Sequence, residues 1–239
     1  SPLDSTYARR ERPINAHSAF ATVAGIAMSN TTKTTVKGPA GNLEVMLTEP
    51  SGNIDGVAVL CHPHPLYGGS MHDSVLNIIA SALLQQHIAV ARFNFRGVGN
   101  SQGISGRGTE QEKSLKSYEP PEVGDLLAVA QWAQAHFSLS RLTYAGYSFG
   151  SYVLWRTLSQ IDCDKALLIA PPSAVMRYTE QDMKSLTTIH VIWCQDDDLV
   201  DPTPFTSNPS IATTELTESD HFFTGHSEDL AGAISSMLG

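Results

Sequence analysis

From Thr34 onward, short apolar runs alternate with segments of helical period, and this alternation restricts the possible folds more than any other feature of the chain. Val57–Cys61 is a continuous apolar run, the pattern of a strand buried on both faces. Leu76, Ile79, Ala80 and Leu83 then recur at helical spacing within Asp73–Gln86. Ile88–Phe95, Leu142–Tyr147, Ala166–Ala170, Thr188–Cys194 and Ile211–Leu216 read as further strands. Two earlier strands, Thr34–Lys37 and Leu43–Thr48, flank the turn Gly38-Pro39-Ala40-Gly41. Helices are expected after Glu119-Pro120-Pro121-Glu122, with Val123, Leu126, Leu127 and Ala130 on one face, and over Phe149–Leu158 and Glu228–Leu238. Polar, Gly-rich Arg96–Ser117 reads as a long loop. The fold class is therefore α/β: a mostly parallel sheet of about eight strands with helices on both faces. Ligands of such sheets bind at the carboxyl ends of the strands.

Composition removes several functions. The 239 residues carry 15 Lys+Arg against 24 Asp+Glu, a net charge of -9, with no basic cluster. Nucleic acid is a poor partner for such a surface. No apolar run reaches the roughly 20 residues a bilayer span requires, so no membrane partner is expected. Cys61, Cys163 and Cys194 are odd in number and form no CxxC, which fits a reducing, cytoplasmic setting or a chain that does not depend on disulfides. Residues 1–27, with Arg9, Arg10 and Arg12 ahead of the mildly apolar Ala19–Ala27, read as a leader peptide or as translated vector sequence before a start at Met28. The second reading is preferred, and a leader would leave export open. Residues 28–239 read as one domain.

Two stretches match G-x-S-x-G, and their contexts differ. Gly146-Tyr147-Ser148-Phe149-Gly150 joins a strand to a helix with Val153, Leu154 and Leu158 inward. A sharp turn of that kind projects a serine oxygen, and glycines flank it because larger side chains have no room. Gly99-Asn100-Ser101-Gln102-Gly103 is followed by Gly106 and Gly108, where no helix can start. Ser148 is thus the candidate nucleophile and Ser101 part of a turn.

A serine hydroxyl needs a histidine base held by a carboxylate, and the partners of an elbow serine follow in the order acid, then histidine. Asp196, Asp197, Asp198 and Asp201 follow the strand Thr188–Cys194, and one of them can orient the base. His221, between the last strand and the last helix, is the expected base; His226 competes but opens the closing helix. Two N–H groups must meet the developing oxyanion. Phe149 supplies one. The second comes from His62-Pro63-His64-Pro65-Leu66-Tyr67-Gly68-Gly69, where prolines have no N–H, leaving His64 first and Leu66 second. His62, His64 and His72 could be read as metal ligands, but no acidic or cysteine partner recurs at ligand spacing, so no metal and no organic cofactor are expected.

Assembled in this order, the residues resemble the α/β-hydrolase superfamily, and more narrowly its small bacterial lid-less, dienelactone-hydrolase-like serine hydrolases. The motifs are His62–Gly69, Phe93–Gly99, the Ser148 elbow and Asp220–Phe223. The resemblance implies an acid three residues before a valine, which selects Asp197 ahead of Val200, with Asp198 second. It supports the His64 N–H and makes Arg96, Gly97 and Gly99 structural. Gly103–Pro121 is longer than in relatives and could overhang the pocket, whereas Pro172–Thr187 is too short for a lid domain. The implied function is a carboxylesterase acting on small soluble esters, with Leu66, Tyr67 and Phe222 as pocket walls. A thioesterase, an amidase or a non-catalytic ligand-binding homologue are the alternatives. The Asp196–Asp201 carboxylates should disfavour anionic substrates.

Overall fold

The computed structural model describes residues 29–106, 119–138, 141–183 and 186–239. Residues 1–27 and most of the 103–121 loop lie outside the described residues. The strands are β1 (Asn30–Gly38), β2 (Gly41–Glu49), β3 (Gly56–Cys61), β4 (Ile88–Phe93), β5 (Leu142–Tyr147), β6 (Lys165–Ile169), β7 (Thr188–Cys194) and β8 (Ile211–Leu216). They form one eight-stranded sheet in the order β1-β2-β4-β3-β5-β6-β7-β8. β1 and β2 pair antiparallel, as do β2 and β4, while β4-β3-β5-β6-β7-β8 is parallel throughout.

Period-two alternation divides the core. Val57, Val59 and Cys61 of β3 face one layer, and Ala58 and Leu60 face the other. The first layer contains α2 (Glu122–Phe137) and α3 (Phe149–Thr157); the second contains α1 (Ser74–Gln85) and α5 (Ser227–Leu238). With helices on both sides, every residue of β3 and β5 is buried, which is why these strands read as unbroken apolar runs. Val153 and Leu154 of α3, and Leu158 just beyond its end, are fully buried. On α2, Val129 replaces Leu127 as a core residue, and Leu127 is only partly buried.

Several boundaries differ from the sequence expectation by one or a few residues, and one short helix is added. β1 begins at Asn30 because pairing with β2 extends through polar residues of the sheet edge. β4 stops at Phe93, although Phe95 is just as buried. Phe95 leaves the ladder to pack on Phe93, His62 and Phe149, and its N–H goes to the His62 ring instead of a strand. A short helix, α4 (Thr203–Thr206), follows β7 and is too brief to show a period.

The start of the Gly-rich loop is ordered by charge. The Arg96 guanidinium and its backbone N–H both donate to Asp125, which has no exposed side-chain surface. Between β6 and β7 only residues 170–187 intervene, too few for a lid domain, and among the described ones none is helical. Among the described residues no helix is long and apolar enough to cross a membrane.

Candidate active site

Four parallel strands end together at one edge of the sheet, and the chain segments that leave them carry the candidate residues. β5 runs into α3 through Ser148, whose φ of 53° and ψ of -121° lie where L-residues are rare. The turn is tight enough to need both glycines. A Cβ on Gly150 would lie 2.2 Å from the Cys61 carbonyl oxygen, and one on Gly146 would lie 2.4 Å from the Gly150 oxygen. Ser148 is held from both sides: its N–H donates to the Ile169 carbonyl at 2.9 Å, and its own carbonyl accepts from the Ser151 N–H and hydroxyl.

The loops after β7 and β8 bring an acid and a base to this serine. Ser148 Oγ lies 2.9 Å from His221 Nε2, and His221 Nδ1 lies 2.6 Å from Asp197 Oδ2. The other carboxylate oxygen accepts from the Leu199 N–H at 3.0 Å, which fixes the plane of the group. All three side chains are buried. The Tyr147 hydroxyl donates to the His221 carbonyl at 2.9 Å and anchors the loop that carries the imidazole. Of the remaining acids in the cluster, Asp196, Asp198 and Asp201 are exposed. Asp201 accepts from the Thr203 N–H at the start of α4, which holds its carboxyl below the ordinary range.

The competing residues have other roles. Ser101 Oγ donates to the Asn94 carbonyl and accepts from the Glu44 N–H, far from any histidine base in this network. Burial would raise the Glu44 carboxyl, but hydrogen bonds from Asn100 and Asn94 outweigh it and hold the group below its ordinary value. His226 Nδ1 pairs with Asp229 at 2.8 Å on the partly exposed first turn of α5.

The loop after β3 turns through a short 3₁₀ segment, Pro65–Tyr67. One of the two oxyanion candidates has an acceptor inside this loop. The Leu66 N–H donates to His64 Nδ1 at 3.0 Å, so it is already used within the loop. The His64 ring packs 4.7 Å from that of Phe149, setting the two loops side by side. The Phe149 N–H is the first of α3 and has no acceptor within the helix.

His62 is structural. It is fully buried, its Nδ1 donates to the Pro63 carbonyl at 2.7 Å, and Nε2 accepts from the Phe95 N–H at 3.1 Å. Both ring nitrogens are therefore committed within the protein and neither faces an ion. Exposed His72 lies outside this network, and among the described residues no three His, Cys, Asp or Glu side chains are grouped to hold a metal. Burial pushes the His62 imidazole down to about 4 from 6.5, more than its bond to Pro63 raises it. Between those two values the unfolded chain binds the extra proton and the folded chain does not. Stability should therefore fall as pH drops through that window, by roughly 3 kcal/mol in total, and change no further from this source below it. Urea midpoints measured across the window should fall less steeply in His62→Gln than in wild type.

A cleft of about 70 Å³ opens beside the triad, lined by His64, Tyr67, Asp73, Tyr147 and Phe222 among others. Tyr67 and Phe222 are the expected walls, and Leu66 is not: it is 54% exposed and does not line the cleft. Asp73 and Tyr147 were not singled out by sequence. Tyr147 adjoins the nucleophile, a signal that could have found it, whereas Asp73 is the N-cap of α1 and has no such signal.

The chain matches the family model of the α/β-hydrolase fold over residues 59–186. An uncharacterized protein of Rickettsia prowazekii is 27% identical over 215 residues, covering 84% of this chain and 86% of its own. A Xanthomonas campestris protein described as an α/β serine hydrolase without a lid superposes with a TM-score of 0.76 at 30% identity, over 90% of this chain and 96% of the other. A serine hydrolase homologue from Coxiella burnetii gives 0.74 at 29% identity, over 89% and 99%.

Proposed function

The chain belongs to the α/β-hydrolase family, and on that premise we propose that it is a serine esterase cleaving small soluble esters through an acyl-enzyme. The observation that carries the reading is the continuous hydrogen-bonded line from Ser148 Oγ through His221 to Asp197, at 2.9 and 2.6 Å. As Oγ attacks the ester carbonyl, its proton passes to His221 Nε2. Asp197 accepts from Nδ1 throughout and stabilises the imidazolium that forms. The oxyanion is met by the N–H groups of Phe149 and His64. Collapse of the tetrahedral intermediate returns the proton to the leaving alcohol, and water then resolves the acyl-enzyme with His221 as base.

Two features favour small substrates. The β6–β7 connection is too short to hold a lid domain, and the cleft, at about 70 Å³, is far below the several hundred cubic ångströms of a site for a large ligand. Three buried cysteines that form no disulfide fit a reducing, cytoplasmic setting. The test is a panel of p-nitrophenyl esters of increasing acyl length, with fluorophosphonate labelling beside it. Acetate and butyrate should be turned over best, and activity should fall steadily toward long chains. A preference for long chains would overturn the open, small-substrate reading. Labelling that survives Ser148→Ala would overturn the nucleophile.

A further inference from the structure

Among the residues named above as lining the cleft beside the triad, Asp73 is the only carboxylate. It is the N-cap of α1, and one oxygen does all the capping: Oδ1 accepts from the Val75 N–H at 2.8 Å and the Leu76 N–H at 3.3 Å. Among the described residues Oδ2 makes no hydrogen bond, and no Lys or Arg forms an ion pair with the group. The cap does not need the charge, because asparagine or serine would serve the helix equally well. The negative charge is thus surplus to the fold, and it sits in a cleft with three aromatic side chains, Tyr67, Tyr147 and Phe222.

A carboxylate among aromatic rings is a cation-binding combination: the ring quadrupoles and the charge attract the same ligand, and more strongly where water is excluded. We propose that the cleft selects esters carrying a small alkylammonium group, with Asp73 as the residue that recognises the charge. This rests on the esterase reading above and names its substrate class. Burial pushes the Asp73 carboxyl above its ordinary value, by more than the Leu76 and Val75 N–H bonds and, last, His221 pull it back, so the charged form is short of solvation in the cleft. An entering ammonium supplies the missing partner, and an anionic ester meets repulsion. The volume of about 70 Å³ suits a small head group. Exposed Asp196 and Asp198, on either side of Asp197, add charge of the same sign.

The test compares two esters of the same shape, acetylcholine and its uncharged isostere 3,3-dimethylbutyl acetate. In wild type, kcat/KM should favour the cationic ester by about tenfold. In Asp73→Asn, which keeps the cap, the ratio should fall to near one. The ratio within each protein is read, so a general loss of activity does not disturb the result. A ratio near one in wild type, or one that Asp73→Asn leaves unchanged, overturns the proposal. If neither ester is turned over, the esterase reading fails instead, and binding decides the cation site. Tetramethylammonium titrated into the resting protein and followed by NMR should bind wild type and not Asp73→Asn. No binding to wild type, or equal binding to both, overturns the proposal.

Discussion

Ser148→Ala should lower kcat by on the order of 10⁶-fold on any ester the wild type cleaves, and should abolish fluorophosphonate labelling. The size follows from the geometry, because Oγ is the atom that lies 2.9 Å from His221 Nε2 and no other hydroxyl reaches that nitrogen in the described network. What survives is the slow reaction promoted by the remaining N–H groups and by binding alone. Folding should be unaffected. Ser148 is fixed through its backbone, by bonds to Ile169 and Ser151 that alanine retains. The strained φ of 53° and ψ of -121° give a second readout. Glycine adopts that conformation freely, so Ser148→Gly should raise stability by about 1–3 kcal/mol while losing activity as completely as Ser148→Ala. An inactive protein that is also more stable would mean that the fold maintains the strain for the sake of the exposed oxygen. Urea unfolding of the three proteins measures this directly.

Asp197→Asn should cost about 10⁴-fold in kcat, whereas Asp198→Asn should change it by less than about twofold. The two residues are adjacent in sequence and differ entirely in surroundings. Asp197 is buried, with Oδ2 on His221 Nδ1 and Oδ1 on the Leu199 N–H; Asp198 is exposed. The Leu199 bond explains why an isosteric change is so costly. It demands an acceptor, so a carboxamide turns its oxygen toward Leu199 and its NH₂ toward His221. Nδ1 must then accept, the ring proton moves to Nε2, and that nitrogen can no longer take the proton from Ser148. Steady-state kinetics of the two variants separates them, and equal losses in both would overturn the assignment of the acid.

Much of this arrangement can be read along the chain. The unbroken apolar strands, the strand–helix alternation and the order Ser148, Asp197, His221 are local or sequential features. The glycine at 150 marks a close approach before its partner is known, and the partner is the carbonyl of Cys61, 89 positions earlier. By contrast, the bond from the Leu66 N–H to His64 Nδ1 lies inside one short loop and has no signature in the sequence. Arg96 is bound to Asp125 across 29 positions, and no periodicity reports that pairing.

The alternation of apolar run and helical segment determined the parallel sheet, because strands buried on both faces cannot present a polar side, and helices must then cover both. That pattern also put the chemistry at one sheet edge. It left open what each polar side chain would meet, since an isolated Asp or His carries no information about its neighbours. Only the tertiary structure decided that Asp197 is buried against His221 while Asp198 faces water, that His62 spends both nitrogens on the backbone, and that Asp73 brings an unneeded charge into the cleft. The physical reason is common to all three: the strength of a polar group depends on its burial and its partners, and both are properties of the packed chain.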